Sequence, residues 1–257
     1  MSTDVIRLEL PEEREIARLK AQVEVLEEEL GSHELELASL QNQLGEFEGR
    51  YYRRVGAKYI ELDELKAQFA ELTATTVATE EAQTEATHAR ERANQAREEV
   101  EEKGADAGSS AFRPSKEIQN LFRSIVKKVH PDLGSDEPDR LYRTEFFKLI
   151  NAAYREQDFG KLSDLARQWE LRPESIAGED TGAQLVRLLR KIAQVQSRTE
   201  AAKAELAALR QTELHILFAK EQELQKMDRD LLGEMCEDVE RQIEEMRLDI
   251  QKEFGVG

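Results

Sequence analysis

The sequence predicts an all-α protein in which two long coiled-coil arms flank a small helical-hairpin module. Charged residues make up 35% of the chain and aromatic residues only 6%, so too few bulky apolar side chains are present to fill one large core. Near both ends, apolar residues recur at steps of three and four, which is the helical period. Two Gly- and Ser-containing stretches interrupt the pattern and are predicted to be linkers. The predicted order is an N-terminal coiled coil (1–103), a linker (104–115), the module (116–171), a second linker (172–182) and a C-terminal helical arm (183–257).

The acidic composition limits the classes of partner. The chain carries 37 basic and 54 acidic residues, a net charge of -17, which disfavours broad binding to nucleic acid or anionic membranes because both require clustered positive charge. The single cysteine, Cys236, excludes a disulfide within the chain and fits a reducing compartment. No apolar run approaches the length of a membrane span, and the start of the chain is too acidic for a signal peptide. We therefore expect a soluble, cytoplasmic protein without nucleic-acid or membrane partners.

The N-terminal arm contains a heptad seam that continues for about five repeats. Pro11 fits the first turn of its helix, and His33 takes one position of the seam. The seam changes phase at Val55, as a stutter would produce. Between residues 73 and 103, Ala and Thr replace Leu, which predicts a solvated or weakly paired helix. The seam residues are Ile16, Leu19, Val23, Leu26, Leu30, Leu37, Leu40, Leu44, Phe47 and Tyr51.

The C-terminal arm returns to a helical pattern, but its apolar seam slips in phase more than once between Leu185 and Ile250. The pairing of the arms is open at this stage. They could form an antiparallel hairpin within one chain, with the module at its tip, or two chains could form a homodimer through parallel N-terminal seams. Ile and Val at some seam positions are compatible with two strands and do not decide between these topologies.

The module is predicted to begin with two amphipathic helices joined by a short turn. Ser115 is a suitable N-cap for the first helix, and the residue before a proline is driven out of the α region, so this helix should end at His130. Ser135 or Asp136 would cap the second helix, with Pro138 in its first turn. A third short apolar pattern near the end of the module could close the core. The stripe of the first helix is Ile118, Leu121, Phe122, Ile125 and Val129.

Two stretches of the module resemble a known family. EIQNLFRSIVKKVHPD (117–132) followed by EFFKLINAAY (145–154) looks like helices II and III of the J domain, the defining module of DnaJ-type co-chaperones. The pattern F-K-x-I-N-x-A-Y of helix III is present at 147–154, and the apolar spacing before His-Pro-Asp also matches. A bare His-Pro-Asp triplet is weak on its own, whereas the triplet between two matching helices is a specific signal.

The chain departs from the J-domain pattern in three respects. The usual first helix, with its Tyr-Tyr-x-x-Leu-Gly pattern, is missing, and Phe112 is expected to supply one apolar side chain in its place. Gln119, Asn120 and Ser124 occupy positions that are often basic in the family. The sequence also lacks a Gly/Phe-rich region and zinc-binding Cys repeats, so the resemblance is to the class that keeps the J module alone.

The resemblance implies a co-chaperone that recruits a DnaK-type heat-shock chaperone and stimulates its ATPase, with coiled-coil arms for oligomerisation or for binding a client or partner. The turn would present an imidazole and a carboxylate in fixed relation, a basic helix face would steer the approach, and Asn151 would cap or brace the turn. The implied chaperone-binding residues are His130, Pro131, Asp132, Arg123, Lys127, Lys128 and Asn151.

A second hypothesis is a coiled-coil scaffold whose J-like module is only a structural hairpin, with His130 and Asp132 simply ending a helix. An enzyme is not expected. No nucleophile lies at a matched spacing from these two residues, and no metal-ligand spacing or phosphate-binding loop is visible, so we predict no catalytic residue, no metal and no cofactor.

Overall fold

The computed structural model describes residues 11–105, 112–134, 136–170 and 181–255. Within these ranges the chain is almost entirely helical and no residue lies in a β-strand, so the predicted all-α class is confirmed there. None of the helices in these ranges is long and apolar enough to cross a membrane. The helices are α1 (Pro11–Tyr51), α2 (Ala57–Val77), α3 (Glu80–Ala105), α4 (Lys116–Val129), α5 (Glu137–Arg155), α6 (Phe159–Glu170), α7 (Thr181–Arg210), α8 (Glu213–Gln225) and α9 (Leu231–Phe254), with a π-helical turn at Tyr52–Gly56 and a 3₁₀ turn at Pro131–Leu133.

The chain forms two units that combine residues distant in sequence. The first unit contains Met1–Asn42 and Phe112–Arg210, and the second contains Gln43–Ala111 and Gln211–Gly257. Each unit therefore takes residues from both predicted arms, with α1 contributing to both. Of the two predicted linkers, residues 106–111 and 172–180 lie outside the described residues, as does residue 171 at the end of the predicted module.

In the first unit, α1 and α7 pair in parallel. Ile192 of α7 packs into an apolar cluster with residues of α1. Lys191 Nζ lies 2.7 Å from Glu27 Oε1, and further along both helices Arg198 Nε lies 2.6 Å from Glu34 Oε1. Because sequence position increases in the same direction on both helices, the antiparallel hairpin that the sequence left open is wrong for this pair. The parallel arrangement is formed within one chain.

The module of the first unit has its own core, built by α4, α5 and α6. Phe122 stacks on Tyr154 with ring centroids 4.1 Å apart, and Phe112 meets Tyr154 edge-on at 5.4 Å. The expectation that Phe112 supplies an apolar side chain to the module core is therefore confirmed. The buried members are Ala38, Phe112, Ile118, Phe122, Ile125, Val126, Val129, Phe146, Ile150, Ala153, Tyr154, Leu162 and Leu165.

The ends of α4 and α5 are fixed by the predicted caps. Ser115 Oγ accepts a hydrogen bond from the backbone N–H of Ile118 at 3.3 Å, and Asp136 Oδ1 accepts one from Asp139 N–H at 2.8 Å. Each bond satisfies an amide that the helix itself leaves without a partner. Of the two capping candidates for α5, Asp136 is therefore the cap, while Ser135 lies outside the described residues.

In the second unit, α2 and α3 form an antiparallel hairpin that the sequence did not predict. The chain reverses at Ala78, whose φ of 50° is left-handed, and Thr79 Oγ1 accepts from Ala82 N–H at the start of α3. The two helices meet through small residues, including Ala67 and Ala93. The N-terminal arm is thus not one helix to residue 103, and its Ala-rich stretch is paired with α2.

The phase change of the N-terminal seam coincides with a π-helical turn, after which α2 packs on α9 in the second unit. The π-helical turn Tyr52–Gly56 lies where the sequence shows the shift at Val55, because a π turn holds more residues than an α turn. Beyond it, Leu62 of α2 packs with Val239 and Ile243 of α9.

We expect Phe122→Ala to destabilise the module by about 3–5 kcal/mol, because Phe122 is fully buried and its loss leaves a cavity. Urea unfolding followed by the fluorescence of Trp169, the only tryptophan and a neighbour of Phe146, measures this unit directly. Leu149→Ala, at an exposed position of α5, is the control and should change the free energy of unfolding by less than about 0.5 kcal/mol. Equal effects of the two substitutions would contradict the packing described above.

We expect sedimentation equilibrium at micromolar concentration to give the monomer mass of 29.4 kDa. The apolar residues of the N-terminal seam, such as Leu19 and Val23, are already buried within the chain, which leaves no open seam at this level for a second copy. A dimer mass would indicate that the seam pairs between chains instead.

Candidate functional site

The His-Pro-Asp turn is held by hydrogen bonds of its own. α4 ends at Val129, and His130 adopts an extended conformation ahead of the 3₁₀ turn. His130 Nδ1 accepts a hydrogen bond from Asp132 N–H at 3.2 Å, and Leu133 N–H donates to the His130 carbonyl at 3.0 Å. The turn is therefore a defined structure in which the histidine side chain itself takes part.

The imidazole of His130 is buried between α1 and α5. Only 5% of the residue is exposed, and the ring meets Phe147 edge-on with centroids 5.1 Å apart. Because Nδ1 accepts from the backbone, the other nitrogen, Nε2, donates to Glu34 Oε1 of α1 at 3.2 Å. The histidine is thus enclosed by the chain itself.

Glu34 is a buried carboxylate shared by the turn and by α7. It is 3% exposed, and its Oε1 also accepts from Arg198 Nε at 2.6 Å. Burial alone would raise the pKa of Glu34, but the hydrogen bonds from His130 and Arg198 hold it below its ordinary value. Arg198 also donates to Glu205 at 2.6 Å, and its Nε lies 4.0 Å from Asp132 Oδ2.

The basic residues of α4 face the same stretch of α1. Lys127 Nζ lies 2.7 Å from Glu28 Oε2, and Arg123 Nε lies 3.4 Å from Glu28 Oε1. The hydrogen bond from Lys127, together with the charges of both basic residues, lowers the pKa of Glu28. Between these contacts lies Gly31, where a Cβ atom would stand 2.9 Å from the Arg123 carbonyl oxygen.

The other implied chaperone-binding residues have different surroundings. Lys128 is exposed, with its Nζ 3.7 Å from Glu170 Oε1, and the Asp132 side chain is 56% exposed. Pro131 begins the 3₁₀ turn, and Asn151 is half-buried on α5.

The expected bracing of the turn by Asn151 is wrong, because this residue makes no hydrogen bond to the described part of the turn. Arg143 of α5 does the bracing. Its Nη1 donates to the Lys128 carbonyl at the end of α4, and its Nε donates to Asp139, both at 2.8 Å. Arg143 lies in the first half of α5, whereas Asn151 lies eight residues, or more than two helical turns, further along that helix.

Sequence reasoning brought together the turn and the basic residues of α4 but missed Glu28, Glu34, Arg143 and Arg198. The spacing of apolar residues assigns charged residues to the exposed face of a helix, so it cannot identify a buried glutamate. One signal was present: the leucine seam of α1 is interrupted at Gly31-Ser32-His33, which is where α1 meets the module.

The candidate site combines exposed and buried charged groups. It offers an exposed carboxylate, an exposed ammonium and a buried ion-pair network, and across the described ranges no group of three or more His, Cys, Asp or Glu residues is placed to hold a metal ion. Comparison with protein-family models, with curated proteins and with solved structures gave no match.

We expect Glu34→Gln to destabilise the first unit by about 3 kcal/mol near neutral pH, because it leaves the Arg198 cation without its buried anion. A carboxylate whose folded-state pKa is lowered contributes stability above its ordinary pKa of 4.5 and loses that contribution as pH falls through the folded value. The difference between wild type and Glu34→Gln in urea unfolding should therefore be constant above about pH 5 and should shrink in acid.

The matched control is Glu29→Gln, since Glu29 is an exposed carboxylate of the same helix paired with Lys203. Its effect should stay below about 1 kcal/mol, as is usual for surface ion pairs. A pH-independent gap between wild type and Glu34→Gln would show that the carboxylate charge is not the source of the stability.

Proposed function

We propose that the chain is a J-domain co-chaperone that recruits a DnaK-type heat-shock chaperone in the cytoplasm and stimulates its ATPase. The helices outside the module would then serve to bind a client or partner. The observation that supports this proposal most directly is that Arg123, Lys127 and His130 lie on one face of the module. Glu28 and Glu34 of α1, less than two helical turns apart, contact all three of them. The resemblance assigns chaperone docking to this combination of a basic helix face and the His-Pro-Asp turn.

The stiffness of the turn supports the same function. A docking element is more effective when its geometry is fixed before binding, because less freedom is then lost on association. The ring of His130 accepts from the backbone of Asp132, and Arg143 holds the end of α4. The Asp132 carboxylate is consequently presented to solvent from a fixed backbone.

The charge distribution also favours an acidic partner at this face. The chain is strongly acidic overall, yet α4 brings Arg123, Lys127 and Lys128 together at its C-terminal half. Glu28 and Glu170 pair with these cations, so an acidic partner surface would bind this face by taking the place of those carboxylates.

A scaffold whose module is only structural is the second candidate, and the burial of His130 favours it. In that case His130 links the turn to Glu34 of α1, and Glu34 also binds Arg198 of α7, so that this carboxylate joins the module, α1 and α7. The two functions differ in what they require of Asp132, which is exposed and adds little to packing.

We expect Asp132→Asn to lower the stimulation of a DnaK-type ATPase by about tenfold or more, equivalent to 1.4 kcal/mol of lost interaction. The assay is steady-state ATP hydrolysis by the purified chaperone with increasing amounts of the full chain. Asp164→Asn, a matched change at an exposed carboxylate of α6, should leave stimulation unchanged. Thermal unfolding of both variants should match wild type, because both side chains are largely exposed.

Failure of the wild-type chain and of every variant to stimulate the chaperone would remove the co-chaperone function in favour of the scaffold. Stimulation that survives both Asp132→Asn and His130→Gln would remove the proposed docking face. A stability loss in His130→Gln alone agrees with either function, since His130 is bonded to Glu34 in both.

A further inference from the structure

The proposed docking face is occupied by the chain's own helix α1. Glu28 neutralises Arg123 and Lys127, and Glu34 accepts the Nε2–H of His130. A chaperone surface that bound these three groups would have to supply acidic or acceptor groups at the same places. Residues 28–34 of α1 therefore place on this face the same acidic and acceptor groups that the partner surface would have to provide.

The contact between α1 and the module is close and mixes polar with apolar groups. Leu35 is the one large apolar side chain of α1 that packs, partly buried, against the module core, and the other contacts described for α1 are made by small or polar residues. Gly31 lies against the backbone of α4, Ala38 enters the module core, and Ser39 Oγ lies 2.8 Å from Tyr154 Oη. The large members of that core, such as Phe122 and Ile150, come from the module itself. Interfaces between parts of a chain that are more polar than a core are those that can separate and re-form.

We propose that α1 is an intramolecular competitor for the docking face, so that the chain rests in a closed state in which α1 covers α4 and His130. An acidic partner surface displaces Glu28 and Glu34 when it docks. This inference rests on the proposed function and adds its regulation: stimulation by the chain is limited by the fraction of molecules in which α1 has left α4. The fraction is set by contacts within the chain and can be changed without altering the docking residues.

Gly31 allows the closed state to be weakened without any change of charge. A methyl group at this position would stand 2.9 Å from both Cγ and the carbonyl oxygen of Arg123, and the backbone of α4 cannot yield cheaply. Gly31→Ala should therefore force α1 away from α4. Gly45→Ala is the matched control, because it makes the same change in the same helix and its added methyl group meets no atom within 4 Å. Both substitutions raise helix propensity equally.

The experiment measures ATPase stimulation of a DnaK-type chaperone by full-length wild type, Gly31→Ala and Gly45→Ala. We expect Gly31→Ala to lower the concentration needed for half-maximal stimulation by about tenfold, and Gly45→Ala to behave as wild type. Adding Asp132→Asn to Gly31→Ala should remove the gain.

Coupling by carbodiimide, followed by mass spectrometry of peptides, reports the closed state directly. The Glu28–Lys127 cross-link should form in wild type and Gly45→Ala and be depleted in Gly31→Ala.

The outcomes separate this inference from the function on which it rests. Loss of the cross-link in Gly31→Ala with stimulation equal to wild type would overturn the competitor role and leave the co-chaperone function standing. No stimulation by any variant, with the cross-link lost, would overturn both. If Gly31→Ala does not fold, Glu28→Gln against the control Glu15→Gln gives the comparison of ATPase stimulation alone, because Glu28→Gln removes the carboxylate that the cross-link needs. Glu15 is a suitable control since it is exposed and faces Arg18 on its own helix. Stimulation by Glu28→Gln equal to that by wild type would overturn the competitor role.

Discussion

The buried carboxylate of Glu34 is the contact on which the first unit depends. A charge removed from water is tolerated only with well-placed partners, and here a histidine and an arginine provide them. Those partners come from the turn after α4 and from α7, so one side chain connects three parts of the chain that are about 65 to 165 residues apart. Apolar stripes on long helices permit several registers, whereas a buried ion pair permits one. Glu34 therefore fixes how α1 lies against both α7 and the module.

The core of the module is completed by residues that lie outside its three helices. Phe112, from the extended segment before α4, fills one side of Tyr154. On α1, Ala38 is buried in the core and Ser39 bonds the Tyr154 hydroxyl, so a small stretch of the long helix closes another side. The core of the module thus includes residues of α1 as well as those of α4, α5 and α6. The sequence pattern within α4 and α5 could not reveal these partners, because they lie far away along the chain.

The features of the fold that the sequence could predict are those determined by residues close together in the chain. The caps at Ser115 and Asp136, the end of α4 before Pro131, and the phase change at Val55 are each set by a few neighbouring residues, and each was predictable. The reversal at Ala78 was not, because neither glycine nor proline marks it and the only signal is the cap at Thr79.

In the candidate site, too, the sequence could predict the neighbouring residues but not their distant partners. The turn and the basic residues of α4 are visible in the sequence because they are contiguous. Their partners Glu28, Glu34 and Arg198 are not, because pairing a residue of α1 with one of α7 depends on tertiary structure. The role expected of Asn151 was wrong for a related reason: which residue of α5 lies beside the end of α4 depends on how the two helices pack, and that residue is Arg143.

Two kinds of contact made by α1 are expected to respond differently when a partner approaches. Its contact with α7 includes apolar side chains such as Val23 and Ile192, whose burial a charged partner cannot replace. Its contact with α4 is made by Glu28 against basic residues that are still partly exposed, and there an acidic surface offers an equivalent bond. Exchange of one ion pair for another costs little net free energy, because both states satisfy the same cations. The cost of opening then falls mainly on Glu34, which must give up its buried hydrogen bond to His130 while Arg198 of α7 stays in place. The bond between Glu34 and His130 therefore sets how tightly α1 is held against the module.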